Sequence, residues 1–163
     1  MAPYFKIVAV QFVVATISIM HSLSIAIAQE PPKIRNNDVV LTYGELKGGH
    51  AIVTFDKNRA AKTALKIETF LAGVAGSKVS IFVDKDPNAI FFHTLTTDEC
   101  RFSEQGSTCI IVLQGRVAAY GRLIHGFRNG RISRLQIETG GVMAMSHTAS
   151  LNGFKQATQN IDD

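Results

Sequence analysis

The side chains that could carry out acid–base or nucleophilic chemistry are few and lie far apart in this sequence. After residue 29 the histidines are single residues, at His50, His93, His125 and His147. The patterns G-x-S-x-G, H-E-x-x-H and G-x-G-x-x-G, which place a nucleophile, a zinc ion or a dinucleotide, do not occur. A hydrolase would therefore need an irregular site in which His93, His125 or His147 meets a carboxylate. We keep such a hydrolase as one alternative to a protein that is not an enzyme.

Acidic residues could also hold a metal ion, and the segment Asp84–Asn88 begins like a calcium loop. Calcium loops need oxygen ligands at alternating positions and a glycine inside the loop. Pro87 and the apolar residues that follow Asn88 break this pattern. We therefore predict a hairpin turn at this segment, with no metal site and no cofactor.

Arginines form the clearest charge pattern. Between Gln105 and Ile137 the sequence contains no aspartate or glutamate. The stretch also contains no lysine, so arginine supplies all of its positive charge apart from histidine. The arginines are Arg116, Arg122, Arg128, Arg131 and Arg134. Arginine binds carboxylate and phosphate groups through two parallel hydrogen bonds. The pattern is typical either of a solvated polar face or of a contact surface for an anionic partner, such as an envelope lipid or an acidic protein. The lack of interleaved aromatic residues argues against nucleic acid.

The first 28 residues have the composition of a secretory signal peptide. Lys6 is the only charged residue before Glu30, and the run Ile7–Met20 is almost wholly apolar. Small residues place the cleavage between Ala28 and Gln29. The run is shorter than the ~20 residues that a membrane-spanning helix needs, so removal is favoured over a permanent anchor. We therefore expect a periplasmic or secreted protein with no transmembrane anchor after cleavage.

Two cysteines, Cys100 and Cys109, are the only ones in the chain. In an exported protein, two cysteines this close together predict a disulfide. Two alternatives remain open. A redox pair usually has two residues between its cysteines, and a zinc site would need two further ligands, of which only His93 lies near in sequence.

The chain after the signal peptide has the length of one ordinary domain. Prolines and polar residues predict a flexible leader over 29–38, followed by a single β-rich domain over 39–158 and a tail over 159–163. Short β-rich runs, several with alternating apolar and polar residues, predict strands. These lie within residues 51–55, 65–69, 79–83, 90–94, 109–113, 134–138 and 142–146.

One helix interrupts the strands. Val117, Tyr120 and Ile124 are spaced for one helical face within residues 114–127. The pair Asn129-Gly130 is typical of a tight turn. We predict a mainly β fold, a small antiparallel β-sandwich or barrel-like domain with one short helix and a helical C-terminal turn.

Three features of the C-terminal half occur together. They are VSIFVDKDPNAIFFHTLTTDEC at Val79–Cys100, then Cys109, and ASLNGFKQA at Ala149–Ala157. In this combination residues 73–158 resemble the C-terminal half of the invasion-associated locus B proteins, small exported proteins of alphaproteobacteria. The matching residues of the last segment are Ser150, Leu151, Gly153, Phe154 and Ala157. The stretch Leu41–Asp56 more faintly resembles a second exported group, of the VirK type.

The resemblance implies a pairing of Cys100 with Cys109 and an association with bacteria that enter or live with eukaryotic hosts. It implies no known reaction. The chain departs from the invasion-associated family in having no tryptophan and no cysteine in its N-terminal half, so the resemblance stops at the C-terminal half.

The end segment also has a physical interpretation of its own. Leu151 and Phe154 are three residues apart and can share one face of a turn. Gly153 permits a left-handed backbone between them, and Ser150 is a candidate N-cap. We therefore expect this segment to dock two large apolar side chains onto the open end of the sandwich.

These observations favour an exported, non-enzymatic binding protein of the bacterial periplasm or envelope, and the resemblance implies a link to host invasion or association. Its contact face would carry the five arginines. The alternatives are the exported hydrolase with a histidine-based site and a structural subunit of an envelope or secretion assembly, which would expose an unpaired strand edge or an apolar patch.

Overall fold

The computed structural model describes residues 30–35, 38–45, 49–55, 65–70, 73–104, 106–113 and 117–159. The predicted signal peptide 1–28, its cleavage point between Ala28 and Gln29, Arg116 and residues 160–163 lie outside the described residues.

Ten strands and two helices occur in the described residues. The strands are β1 (Lys33–Arg35), β2 (Asp38–Tyr43), β3 (His50–Phe55), β4 (Leu65–Phe70), β5 (Lys78–Val83), β6 (Phe91–Thr94), β7 (Cys100–Ser103), β8 (Gly106–Leu113), β9 (Ile132–Thr139) and β10 (Val142–Ser150). The helices are α1 (Ala118–Asn129), between β8 and β9, and α2 (Phe154–Ala157), after β10.

The strands form two sheets in which every pairing is antiparallel. One sheet has six strands in the order β1-β2-β3-β4-β8-β7, and the other has four in the order β10-β9-β5-β6. The predicted mainly β, antiparallel sandwich is confirmed. Within the described strands the two sheets remain separate and do not close into a barrel.

The core lies between the sheets and follows the period of two that the sequence shows. In the six-stranded sheet, Leu41, Val53, Ile67 and Ile111 form one cross-strand row, and all four are buried. In the four-stranded sheet the buried set is Val79, Ile81, Leu135 and Ile137. Burying each side chain of this size stabilises the fold by about 1.5–3 kcal/mol.

A buried hydrogen bond joins the two sheets. The Tyr43 hydroxyl on β2 donates to Ser133 Oγ on β9 at 2.8 Å, and both residues are fully buried. Burial raises the pKa of Tyr43 well above its usual range, and the hydrogen bond to Ser133 offsets this only in part. The phenol therefore stays protonated and keeps donating, which fixes β2 against β9.

Helix α1 confirms the predicted helical face, with a shift toward the C-terminus. Tyr120 and Ile124 are buried as expected, together with Leu123 and Phe127. Val117 is not part of that face, because it precedes the first helical residue and is exposed.

The predicted tight turn at Asn129-Gly130 is wrong. Asn129 is the last residue of α1, and Gly130 follows it in an extended conformation. A Cβ placed on Gly130 would lie 2.2 Å from Val83 Cγ1. The glycine is therefore required because the end of α1 passes directly over β5.

The assignment of residues 29–38 to a flexible leader also needs correction. Lys33–Arg35 forms β1, which pairs with β2 in the register Lys33↔Val40 to Arg35↔Asp38. An edge strand needs partners on one side only, so polar residues with little core contact suffice to form it. The sheet therefore starts before residue 39, the predicted start of the domain.

Candidate functional site

The predicted disulfide between Cys100 and Cys109 is present. The two cysteines are direct partners of β7 and β8, with their Cα atoms 4.0 Å apart, and the Ile110 N–H donates to the Glu99 carbonyl beside them. Both cysteines are buried. The bond ties β7, the edge strand of the six-stranded sheet, to its only neighbour among the described strands.

Metal coordination has no visible basis in the described ranges. No group of three or more histidine, cysteine, aspartate or glutamate side chains that could hold an ion is found there. The segment Asp84–Asn88 forms the predicted turn between β5 and β6, with the Asn88 N–H and side-chain amide donating to Asp86 Oδ1.

One histidine meets a carboxylate. His93 Nε2 on β6 lies 2.9 Å from both carboxylate oxygens of Glu99, which directly precedes β7. Glu99 Oε2 also accepts the Thr96 backbone N–H at 2.8 Å. The pair therefore connects the edge strands of the two sheets beside the disulfide.

This pair is the histidine–carboxylate contact that a hydrolase would require, but it lacks a nucleophile. Among the described residues, no serine, threonine or cysteine side chain is hydrogen-bonded to the His93 ring. A nucleophilic triad needs the histidine to contact the attacking group on one side and the carboxylate on the other. The geometry fits a structural ion pair between the two sheets better than a catalytic site.

Stability should depend on pH through Glu99. Burial raises the pKa of Glu99, but the hydrogen bonds from His93 and Thr96 outweigh it, so the pKa lies below its usual value. A depressed pKa in the folded state stabilises the fold above the unfolded-state pKa, and the contribution is lost as pH falls through the folded-state value. Glu99→Gln should therefore flatten the loss of stability below about pH 5.

The measurement is urea unfolding of the wild type and Glu99→Gln at several pH values between 3 and 7. Asp98→Asn is the matched control, because Asp98 is the exposed neighbouring carboxylate. If the free energy of unfolding changes equally with pH in the wild type and in Glu99→Gln, the His93–Glu99 contact does not stabilise the fold.

The other candidate histidines have no carboxylate partner in the described part of the chain. His50 stacks on Phe70 with ring centroids 4.3 Å apart, and burial lowers its pKa. His125 is exposed on α1, where it lies beside Asn129. His147 on β10 faces Gly44, where a Cβ would lie 2.7 Å from its ring.

The four described arginines of the predicted contact face do not act alike. Arg122 on α1 and Arg131, between α1 and β9, are exposed. Arg128 instead binds the segment after α2, since Nη2 donates to the Thr158 carbonyl at 2.7 Å and Nε donates to Thr158 Oγ1 at 3.1 Å. Arg134 lies on β9, with Cζ 4.7 Å from the centre of the Phe82 ring. The structure thus leaves three arginines available for contacts and uses Arg128 to hold α1 against the C-terminal segment.

One acidic residue approaches this region. Asp84 Oδ1 accepts the backbone N–H groups of Arg131 at 2.9 Å and Ile132 at 3.0 Å, and these bonds lower the pKa of Asp84. The basic stretch and the acidic loop before it, which looked separate in sequence, therefore meet at the start of β9.

The end segment is part of the core. Leu151 and Phe154 are buried, and Gly153 has the left-handed φ of 84° that the sequence indicated. Ser150 Oγ accepts the Asn152 N–H at 3.2 Å, so it caps a turn, while Gly153 occupies the N-cap of α2. Ala157 is half-buried against the core. The segment contributes packing to the core through Leu151 and Phe154.

Two phenylalanines lie on the outer face of the four-stranded sheet, which also carries Arg134, and sequence reasoning did not assign them to a contact face. Phe82 and Phe92 lie on the outer face of β5 and β6, and Phe92 is 60% exposed. The signal was present in the alternation of β5, which places Phe82 on the same face as Ser80, opposite the core residues.

The fold and site together define a disulfide-linked, two-sheet antiparallel sandwich. No protein-family model, curated protein or solved structure matches the chain. In the described residues no helix is long and apolar enough to cross a membrane.

Proposed function

We propose that the chain is an exported, non-enzymatic binding protein of the bacterial periplasm or envelope, whose partner is an anionic lipid or protein of the envelope. One observation carries the proposal. Arg122, Arg131 and Arg134 have no carboxylate of the described residues within 4.0 Å. Their charges are available to a partner at any physiological pH.

Two further features support export. The disulfide is typical of proteins that fold in an oxidising compartment. The N-terminal sequence has the arrangement of a cleaved signal peptide. A link to host invasion or association, as in the invasion-associated locus B proteins, remains part of the proposal and rests on the resemblance of the C-terminal half.

Binding to anionic vesicles should depend on the exposed arginines. Each basic residue near an anionic membrane surface contributes about 1 kcal/mol, so Arg122→Ser with Arg131→Ser should weaken binding about 30-fold. The probe is a vesicle of phosphatidylglycerol and phosphatidylcholine, with protein purified from the periplasm in oxidising buffer. Added salt should weaken binding of the wild type.

The matched control is Lys33→Ser with Lys66→Ser, which removes the same charge from two lysines that already have glutamate partners. The control should bind like the wild type. Binding that responds neither to the arginine replacements nor to salt would contradict the electrostatic part of the proposal.

The His93–Glu99 pair favours one alternative function, an exported hydrolase. Release of nitrophenol from a p-nitrophenyl ester, compared between the wild type and His93→Gln, separates the two functions. We expect both to match the buffer rate, and a rate that is lost with His93→Gln would establish the hydrolase instead.

A further inference from the structure

The outer face of the four-stranded sheet carries an ordered set of side chains. Phe92, Ser80, Gln136 and Ser146 are successive cross-strand partners, so they form one row over β6, β5, β9 and β10. Phe82 and Arg134 are partners in the next row. We call these six residues the aromatic face. Its strands are about 4.8 Å apart, so the first row spans about 14 Å.

The two rings of the aromatic face lie on neighbouring strands. Phe92 pairs with Ser80, so it is diagonal to Phe82 two residues further along β5, within reach of one ligand. A phenylalanine that is 60% exposed on the edge strand, at the end of a row of polar side chains, gains little from the protein itself. Its flat apolar surface is open to a ligand that presents C–H groups or a ring.

Polar groups beside the rings can bind hydroxyl groups. Gln136 Nε2 donates to Ser146 Oγ at 3.3 Å, which fixes the amide and leaves its carbonyl oxygen pointing away from that bond. Ser80 stands between Phe92 and Gln136 in the same row. Serine and glutamine both donate and accept hydrogen bonds, as a ligand rich in hydroxyl groups requires.

Arg134 adds a positive charge that the described residues do not neutralise. Its guanidinium is held over the Phe82 ring, and its Nε is buried without a hydrogen-bond partner among them. The nearest carboxylate in the sequence of β9, that of Glu138, lies 3.8 Å from the Lys78 ammonium. A guanidinium oriented by stacking is ready to bind a carboxylate or phosphate through two hydrogen bonds.

We propose that the aromatic face binds an acidic saccharide, with a sugar ring stacked on Phe92 and its acidic group bound by Arg134. This inference goes beyond the proposed function, because it gives the protein a saccharide ligand at a face separate from Arg122 and Arg131. A saccharide combines an apolar C–H surface, hydroxyl groups and, when acidic, a carboxylate or phosphate, and each of these has a counterpart on the face. The OB-fold, another small antiparallel β-domain, binds oligosaccharides on a strand face.

Two other ligands fit less well. A single-stranded nucleic acid needs several positive charges along its backbone. The aromatic face has Arg134, and the row next to it has Lys78, which is paired with Glu138. A lipid surface needs a continuous apolar patch, and the row from Ser80 to Ser146 is polar.

The test measures binding of a short oligogalacturonate, a chain of uronic acids, by isothermal titration calorimetry with protein purified from the periplasm. Phe92→Ala should weaken binding about tenfold or more, as expected for loss of one stacked ring. Arg134→Gln should weaken it to a similar extent, and a neutral maltodextrin of equal length should bind the wild type and Arg134→Gln equally weakly.

Matched controls come from the other sheet. Phe102 on β7 is 68% exposed and Arg101 beside it is also exposed, so Phe102→Ala and Arg101→Gln make the same chemical changes away from the aromatic face. Both should bind like the wild type. Unfolding midpoints of all four variants check that each one is folded.

The outcomes separate this inference from the proposed function. If oligogalacturonate binds all variants equally or not at all, while vesicles bind in a way that needs Arg122 and Arg131, the saccharide inference is overturned and the proposed function stands. If a single-stranded oligonucleotide binds through Phe92 in place of the uronate, the inference is likewise overturned. If neither the uronate nor vesicles bind, both fail.

Discussion

Phe154→Ala is expected to destabilise the protein by about 3–5 kcal/mol, the cost of removing a fully buried aromatic side chain. The Phe154 ring meets Phe55 of β3 and Phe127 of α1 edge to face, with centroids 4.9 and 5.4 Å apart. Phe55 and Phe127 contact each other at 5.5 Å, so the three rings form one cluster. Truncating any one of them leaves a cavity beside the other two.

Urea unfolding followed by circular dichroism measures this loss. Lys155→Ala is the control, because Lys155 is the exposed next residue of α2 and should change stability by less than about 0.5 kcal/mol. An unfolding midpoint that stays unchanged in Phe154→Ala would show that the end segment does not dock as described.

The second large effect is expected from the disulfide. Replacing Cys100 and Cys109 together by alanine should cost about 3 kcal/mol, because a cross-link between residues nine apart restricts the unfolded chain. Reductant should destabilise the wild type by a similar amount and leave the double variant unaffected.

Without the disulfide, we expect strand β7 to lose its structure before the rest of the sheet does. The four residues of β7 pair only with β8 among the described strands, and three of them, Arg101 to Ser103, are exposed. Amide hydrogen exchange should therefore rise in β7 before the rest of the sheet. Equal stability of the wild type with and without reductant would contradict this role of the disulfide.

Much of the fold is predictable because core residues alternate regularly with polar ones. In β5 the buried Val79 and Ile81 alternate with Ser80 and Phe82, and the structure keeps that order. Strand β7 lacked such a signal, since one side chain of its four is buried and the strand depends on its neighbour and the disulfide. For the edge strand β1, likewise, pairing decides the structure more than side-chain pattern does.

The prediction of a tight turn at Asn129-Gly130 was wrong for a different reason. The pair has the local preference for a tight turn, but the close approach of Val83 explains the glycine equally well. One sequence cannot separate these two demands, because both call for a residue without a side chain.

The candidate site was less predictable than the fold. Sequence alone treats Arg128 and Arg134 alike, yet one is bound to Thr158 and the other is stacked on Phe82. The His93–Glu99 contact joins strands of different sheets, so it depends on how the sheets pack. Side chains that meet through tertiary structure leave no spacing rule in the sequence.

The hydrogen bond from Tyr43 to Ser133 has a consequence for how the chain reaches its native state. The two residues are 90 positions apart, and the strands that carry them belong to different sheets. Chains dominated by such distant pairings fold slowly, on the order of milliseconds to seconds, because the cost of closing long loops comes before the contacts that compensate it. The bond from Tyr43 to Ser133 can form only after the chain has closed a loop of 90 positions, so we expect the two sheets to join late in folding.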